Sequence, residues 1–119
     1  MGTFVISKRI NGTYKYEYVS RKGKSIFISA NFDLRFECEN EINLLKKEIA
    51  NCFFMKCKSS RGKFYFKIVI HEREIATSRK FSTELMMVKS INEILTFINL
   101  SEILDFSLEL DFFKESNNL

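Results

Sequence analysis

The sequence predicts an α+β fold in which two tandem β-β-β-α repeats and a C-terminal strand form one antiparallel sheet, with two helices packed on one face. Three observations predict it. The chain repeats itself: Phe4, Gly12, Tyr14, Tyr16 and Tyr18 return fifty residues later as Phe54, Gly62, Phe64, Phe66 and Ile68. One residue then drops out of a turn, and Ser29, Phe32, Phe36, Ile42, Leu45 and Ile49 return forty-nine later as Ser78, Phe81, Leu85, Ile91, Ile94 and Ile98. Such a period marks a repeated supersecondary unit. Within each copy, short runs of alternating apolar and polar residues come first, the pattern of half-buried strands. A stripe spaced four, three and four residues follows, the pattern of one helix face.

The elements justify themselves in order. Phe4 to Lys8 is short and rich in β-formers. Asn11-Gly12 then predicts a type I′ hairpin turn, which needs positive φ at both central residues. In Thr13 to Val19 three tyrosines alternate with Lys15 and Glu17, so the tyrosines share one face of a strand. Arg21-Lys22-Gly23-Lys24 is a turn and Ile26 to Ser29 a third strand. Asp33 is the expected N-cap of the helix, its carboxylate accepting free amide hydrogens of the first turn. Cys38, Ile42, Leu45 and Ile49 form the buried stripe, with Glu37, Glu39, Glu41, Lys46 and Lys47 on the other faces. The acids come early and the lysines late, as the helix dipole prefers.

The second copy has the same grammar. Phe53 to Cys57 is a strand, Ser59-Ser60-Arg61-Gly62 a turn, and Lys63 to Ile70 a strand with Phe64, Phe66 and Ile68 inward. His71-Glu72-Arg73 turns into a short strand, Glu74 to Ser78. Ser82 is the expected cap of the second helix, whose stripe is Met87, Ile91, Ile94 and Ile98. From Leu104 to Phe112 the alternation returns with Asp105, Ser107, Glu109 and Asp111 outward, predicting a final strand over 103–113 that pairs with the first repeat. The 119 residues contain no proline, only four glycines and no linker-like stretch. We therefore expect a single domain over 1–119, with repeat one at 3–49 and repeat two at 53–98 sharing one core.

Composition bounds the function. With 45% hydrophobic residues and thirteen Phe the chain is globular, and no apolar run approaches the ~20 residues of a membrane span. The start lacks the basic and long apolar segments of a signal peptide, so a soluble, cytoplasmic protein is expected. Three cysteines with a lone histidine suit neither a disulfide framework nor a structural zinc site, so free thiols and no metal are expected. The net charge of +4 conceals an asymmetry: residues 1–98 carry 18 Lys and Arg against 10 acids, and residues 99–119 one Lys against five acids.

Phe4-Val5-Ile6-Ser7-Lys8, Asn11-Gly12-Thr13-Tyr14-Lys15-Tyr16, the run from Gly23 to Phe32, and Glu39-Asn40-Glu41-Ile42 together resemble the YegP-like family of small bacterial proteins of unknown function. The resemblance covers about residues 3 to 98. It implies a β-β-β-α unit present as a tandem pair or a homodimer, in one sheet, with the strand after each helix exchanged between units. The family's Asn-Gly-Ile stands here as Asn40-Glu41-Ile42 and, in the second copy, as Lys89-Ser90-Ile91. Its turn glycine is kept as Gly23 and replaced within His71-Glu72-Arg73. The resemblance implies no catalytic or binding residues.

Nor do the residues themselves supply a catalytic motif. His71 beside Glu72 is an imidazole a carboxylate could orient, but it lies in a predicted turn open to water with no nucleophile placed beside it. No phosphate-binding loop, dinucleotide fingerprint, zincin motif or serine-hydrolase elbow is present. Ser29 and Ser78 match in the two copies, which predicts a matched structural role at a strand end. The reading is a cofactor-free, non-enzymatic protein-interaction module, binding another protein or a second copy of itself through an open sheet face or edge. The alternative is nucleic-acid binding on the helix-free face, with Lys15, Lys63 and Lys67 meeting phosphates and Tyr65 stacking on a base. An enzyme of unknown type is a more distant alternative.

Overall fold

The computed structural model of the protein describes residues 2–107. Its elements are β1 (Thr3–Lys8), β2 (Tyr14–Val19), β3 (Ser25–Ser29), α1 (Arg35–Glu48), β4 (Phe53–Lys58), β5 (Phe64–Ile70), β6 (Arg73–Ser78), α2 (Glu84–Phe97) and β7 (Ile103–Asp105). Single 3-10 turns, Ile49–Asn51 and Ile98–Leu100, extend the two helices. The strands form one sheet in the order β4-β5-β6-β3-β2-β1-β7. Neighbours are antiparallel except at one place: β7 runs parallel to β1, with Phe4 opposite Ile103 and Ile6 opposite Asp105. The sheet is thus mixed rather than wholly antiparallel, because the chain returns from α2 to the outer side of β1.

Alternation sorts the strands as the sequence requires. Phe4 and Ile6 of β1, Tyr16 and Tyr18 of β2, Phe27 of β3, and Phe66 and Ile68 of β5 are buried under the helices. Cys38, Ile42 and Leu45 of α1 and Met87, Ile91 and Ile94 of α2 complete the same cluster. Rings are paired within it: Tyr18 stacks on Phe27 with centroids 5.3 Å apart, and Phe66 on Phe81 at 6.3 Å.

Each half carries a bulge that periodicity does not show. Tyr18 pairs with Phe27 but Val19 with Ser25, so Ile26 has no partner. Ile68 pairs with Ala76 but Val69 with Glu74, so Ile75 has none. The extra residue lets two consecutive side chains, Ile26-Phe27 and Ile75-Ala76, enter the core.

The turns correct the expected I′ geometry. Arg9 N donates to Thr13 O and Gly12 N to Arg9 O, with only Gly12 at positive φ (88°). This is a type I turn followed by a bulge glycine, a different solution to the same strand twist. Ser20–Lys24 and Ser59–Lys63 repeat it, with Gly23 and Gly62 at φ 85° and 78°. The two-residue I′ turn occurs instead at His71 (φ 50°) and Glu72 (φ 64°), where no glycine stands.

The caps lie one residue beyond those expected. Leu34, not Asp33, is the N-cap of α1, and Glu37 Oε1 reaches back to accept its N–H at 3.0 Å. Thr83, not Ser82, caps α2, its hydroxyl accepting from Met86 N at 3.2 Å. The final strand reverses its expected phase. Asp105 turns under the helix layer to bond Arg35 at 2.7 Å, and Leu104 faces the other side, 44% exposed. The rest of the strand expected over 103–113, from residue 108 on, lies outside the described residues.

Candidate functional site

One ionisable cluster is buried beneath the helices. Tyr16, central on β2, donates its hydroxyl proton to Glu41 Oε2 at 2.5 Å. The other oxygen of Glu41 accepts from Arg73 at the start of β6, at 3.1 Å. Glu41 is only 7% exposed, although the helix pattern had placed it among the outer acids. Burial raises the Glu41 carboxyl, against the opposing pull of the Tyr16 bond and the Arg73 charge. Burial, followed by the Glu41 charge, pushes the Tyr16 hydroxyl up strongly, so the shared proton stays on the tyrosine. The Cys38 thiol next to them is pushed up to about 12, chiefly by burial. A thiol held that high is a poor nucleophile. The cluster joins α1, β2 and β6, and so ties the first half to the second. The signal in sequence was present: Glu41 stands three residues after Cys38 and beside Ile42, within the stripe.

Ser29 and Ser78 have matched structural roles. Their hydroxyls accept from Tyr16 N and Phe66 N, at 2.9 and 2.8 Å, and donate to Ala30 O and Arg79 O, each at 2.7 Å. They stand in for ladder bonds where β3 and β6 leave their neighbours. Lys46, an unremarkable helix lysine in sequence, donates to Ser101 O and lies over the Phe4 ring at 5.8 Å. His71 is exposed at its turn tip. Among the described residues no group of three or more His, Cys, Asp or Glu could hold a metal ion. No helix among them is long and apolar enough to cross a membrane.

Of the four residues proposed from sequence for nucleic acid, the helix-free face of the sheet bears Lys15, Tyr65 and Lys67. Tyr65 and Lys67 alternate along β5 on this face, and Lys63 lies just before the strand, exposed in the loop. Lys15 is on β2, beyond β6 and β3, roughly 14 Å away at the usual strand spacing. Two of the three lysines have carboxylate partners: Lys15 bonds Glu17 at 2.6 Å and Lys67 bonds Glu74 at 3.1 Å. The same face also bears exposed apolar side chains set apart from one another: Ile28 (37%) on β3 between the two lysine strands, Phe53 (61%) on β4 at one edge, and Val5 beside Leu104 at the other.

No family model and no curated protein matches the chain. Two solved structures do. A solution NMR structure of the E. coli protein of unknown function yegP superposes with a TM-score of 0.79, at 19% identity, over 89% of this chain and 93% of that one. A solution NMR structure of a UPF0339 protein from Shewanella oneidensis superposes with a TM-score of 0.82, at 22% identity, over 91% and 93%. The expected resemblance thus holds in three dimensions: this chain has the YegP-like α+β fold, a seven-stranded mixed sheet under two helices.

Proposed function

We propose that the chain is a non-enzymatic protein-interaction module whose contact surface is the helix-free sheet face, and that the partner on this face is a second copy of the chain. The observation that carries this reading is the pairing of Lys15 with Glu17 and Lys67 with Glu74, which leaves Ile28, Phe53 and Leu104 exposed on a face of locally balanced charge. Two such faces bring apolar side chains together without opposing like charges, and stacked sheets are a common two-layer solution. Seven strands of about six residues give a face on the order of 600 Å². That approaches the ~800 Å² each partner contributes to a stable complex. The same reading takes residues 1–119 as one domain acting in the cytoplasm, which the free Cys38, Cys52 and Cys57 fit.

Sedimentation velocity over a concentration series tests it. The expected result is a dimer that Ile28→Lys and Leu104→Lys each convert to a folded monomer. A chain that stays monomeric at all concentrations, or a dimer indifferent to both substitutions, overturns the reading.

A further inference from the structure

Three connections that are far apart in sequence meet at one end of the sheet. Lys58 pairs with Phe64 across the β4–β5 loop. Phe64 then bridges to Phe81, just past β6. Arg79 N donates to Ile26 O at the start of β3, and Ser25 pairs with Val19 at the β2–β3 loop. The three segments read Lys58-Ser59-Ser60-Arg61-Gly62-Lys63, Arg79-Lys80, and Ser20-Arg21-Lys22-Gly23-Lys24. Together they hold eight of the 18 cations found before residue 99, and no acid. The connections at the opposite end of the sheet instead mix Arg9 and His71 with Asp33 and Glu72.

This rim differs from the helix-free face in having no internal neutralisation. The described ion pairs engage Lys15, Arg35, Lys67 and Arg73, and none of the eight rim cations. Two of the rim cations are held over rings: the Arg79 guanidinium lies 4.5 Å from the Phe81 centroid and Lys58 Nζ 5.5 Å from that of Phe64. A guanidinium fixed by stacking loses little freedom on meeting an oxyanion. Among the described residues, the two buried side-chain polar atoms without a hydrogen-bond partner, Arg79 Nε and Ser25 Oγ, are both here, on neighbouring segments. The three segments follow one another at about one and a half strand spacings, roughly 7 Å. That interval is comparable to the distance between successive phosphates of a nucleic-acid strand.

We infer that this basic end of the sheet is a nucleic-acid site that takes the phosphate backbone across the β4–β5 loop, the Arg79-Lys80 segment and the β2–β3 loop. The site is separate from the helix-free face and does not depend on self-association there. Of its cations only Lys63 had been singled out from sequence. A strand laid along the rim meets a cation at each step, and the fixed Arg79 offers a paired N–H contact to one phosphate. No exposed large apolar side chain belongs to the three segments. An anionic membrane would therefore be held by charge alone, without the apolar insertion that strengthens surface binding, whereas the spacing of the segments suits successive phosphates. The strip is bounded towards β7 by Glu102, which shares an open depression of about 410 Å³ with Arg21.

The test is fluorescence anisotropy of a labelled single-stranded oligonucleotide of about 20 bases titrated with the full chain. With about four phosphates neutralised, affinity should fall roughly 50-fold between about 50 and 200 mM salt. Lys22→Glu with Lys24→Glu, and Arg61→Glu with Lys63→Glu, should each weaken binding at least about tenfold at low salt. These side chains are exposed on loops, so circular dichroism should stay unchanged. Lys47→Glu with Lys89→Glu, the same charge change on the helices, should leave binding within about twofold. The inference is overturned if there is no binding at low salt, if the helix variant loses as much as the loop variants, or if anionic vesicles bind while oligonucleotides do not.

Discussion

The two halves of the molecule run through the same element order, three strands and then a helix, and differ in what they bury. The first half places Tyr16 over Glu41 and joins Tyr18 to Ser101 at 3.0 Å. The second has Phe66 and Ile68 at the corresponding strand positions and Ser90 at the corresponding helix position. The first half also carries β7 on its outer edge, held by Arg35 to Asp105 and by Lys46 to Ser101 O. At the equivalent places α2 has Glu84 and Leu95, and the outer side of β4 bears no described strand. Ile6, 1% exposed beside β7, corresponds to Lys56, which is exposed. The difference teaches that an edge paired with β7 and an edge without a described strand carry different side chains at the corresponding strand position. A lysine on an open edge opposes unwanted strand pairing.

Exchanging those two residues breaks the comparison most sharply. Ile6→Lys places an ammonium under α1 beside Phe4 and should cost about 3–5 kcal/mol, the range of severe core lesions. Lys56→Ile at the open edge should change stability by less than about 0.5 kcal/mol and increase aggregation on heating. Urea titrations of both variants, with light scattering during a thermal ramp, measure the asymmetry. Equal costs at the two positions would mean that β7 contributes nothing to the burial of Ile6.

Converting the first half's polar pair towards the second half's residues comes next. Tyr16→Phe leaves the Glu41 oxygen without its short bond in a buried place and should cost about 1–3 kcal/mol. Adding Glu41→Ser, which completes the Phe66 and Ser90 arrangement, should restore part of that loss, because the stranded carboxylate is then gone. A double-mutant cycle in urea reads the coupling. Additive losses would show that the hydroxyl and carboxylate do not act together.

These asymmetries also mark where the sequence stopped being legible. The core strands and the helix stripes follow from period two and period 3.6, and β1, β2, α1 and α2 lie where those periods put them; the return of the last strand to the first half was expected from the family resemblance, since alternation alone names no pairing partner. Paired serines at a fixed offset foretold the bonds of Ser29 and Ser78. Glu41 was misplaced because a helical acid reads as solvent-facing unless its partner is known, and Tyr16 is 25 residues away. Asp105 was misplaced because alternation gives a phase only relative to a core whose side must be assumed. A parallel register against β1, with Arg35 waiting, inverted it. The basic rim was invisible for a third reason: it is assembled from three turns, and local charge spacing carries no information on which turns share a sheet end.

The hairpins allow a finer exchange. Three loops meet their positive φ with a glycine, whereas His71 and Glu72 both adopt it with side chains. A non-glycine residue in this region costs about 1 kcal/mol or more. His71→Asn with Glu72→Gly supplies the residues an I′ turn favours and should raise stability by about 1 kcal/mol. A rise in Tm of several degrees is the expected readout. An unchanged Tm would show that side-chain contacts of His71 or Glu72 offset the strain.

The smallest expected effect concerns pH and again contrasts the two helices, since Ser90 of α2 cannot titrate where Glu41 of α1 can. Burial raises the folded carboxyl of Glu41 above its unfolded value. A raised carboxyl binds its proton more tightly in the folded state, so its contribution is fully present below the unfolded value, about 4.3. It is lost as pH rises through the higher folded value. Glu41→Gln keeps an oxygen to accept from Tyr16 but removes the titration. The stability of the native chain relative to this variant should therefore be most favourable at acid pH and decline towards neutrality. Urea midpoints at a series of pH values, subtracted pairwise, give that curve. A difference that instead grows from acid to neutral pH would mean that the Tyr16 proton and the Arg73 charge outweigh burial, and that Glu41 is held as a stabilising anion.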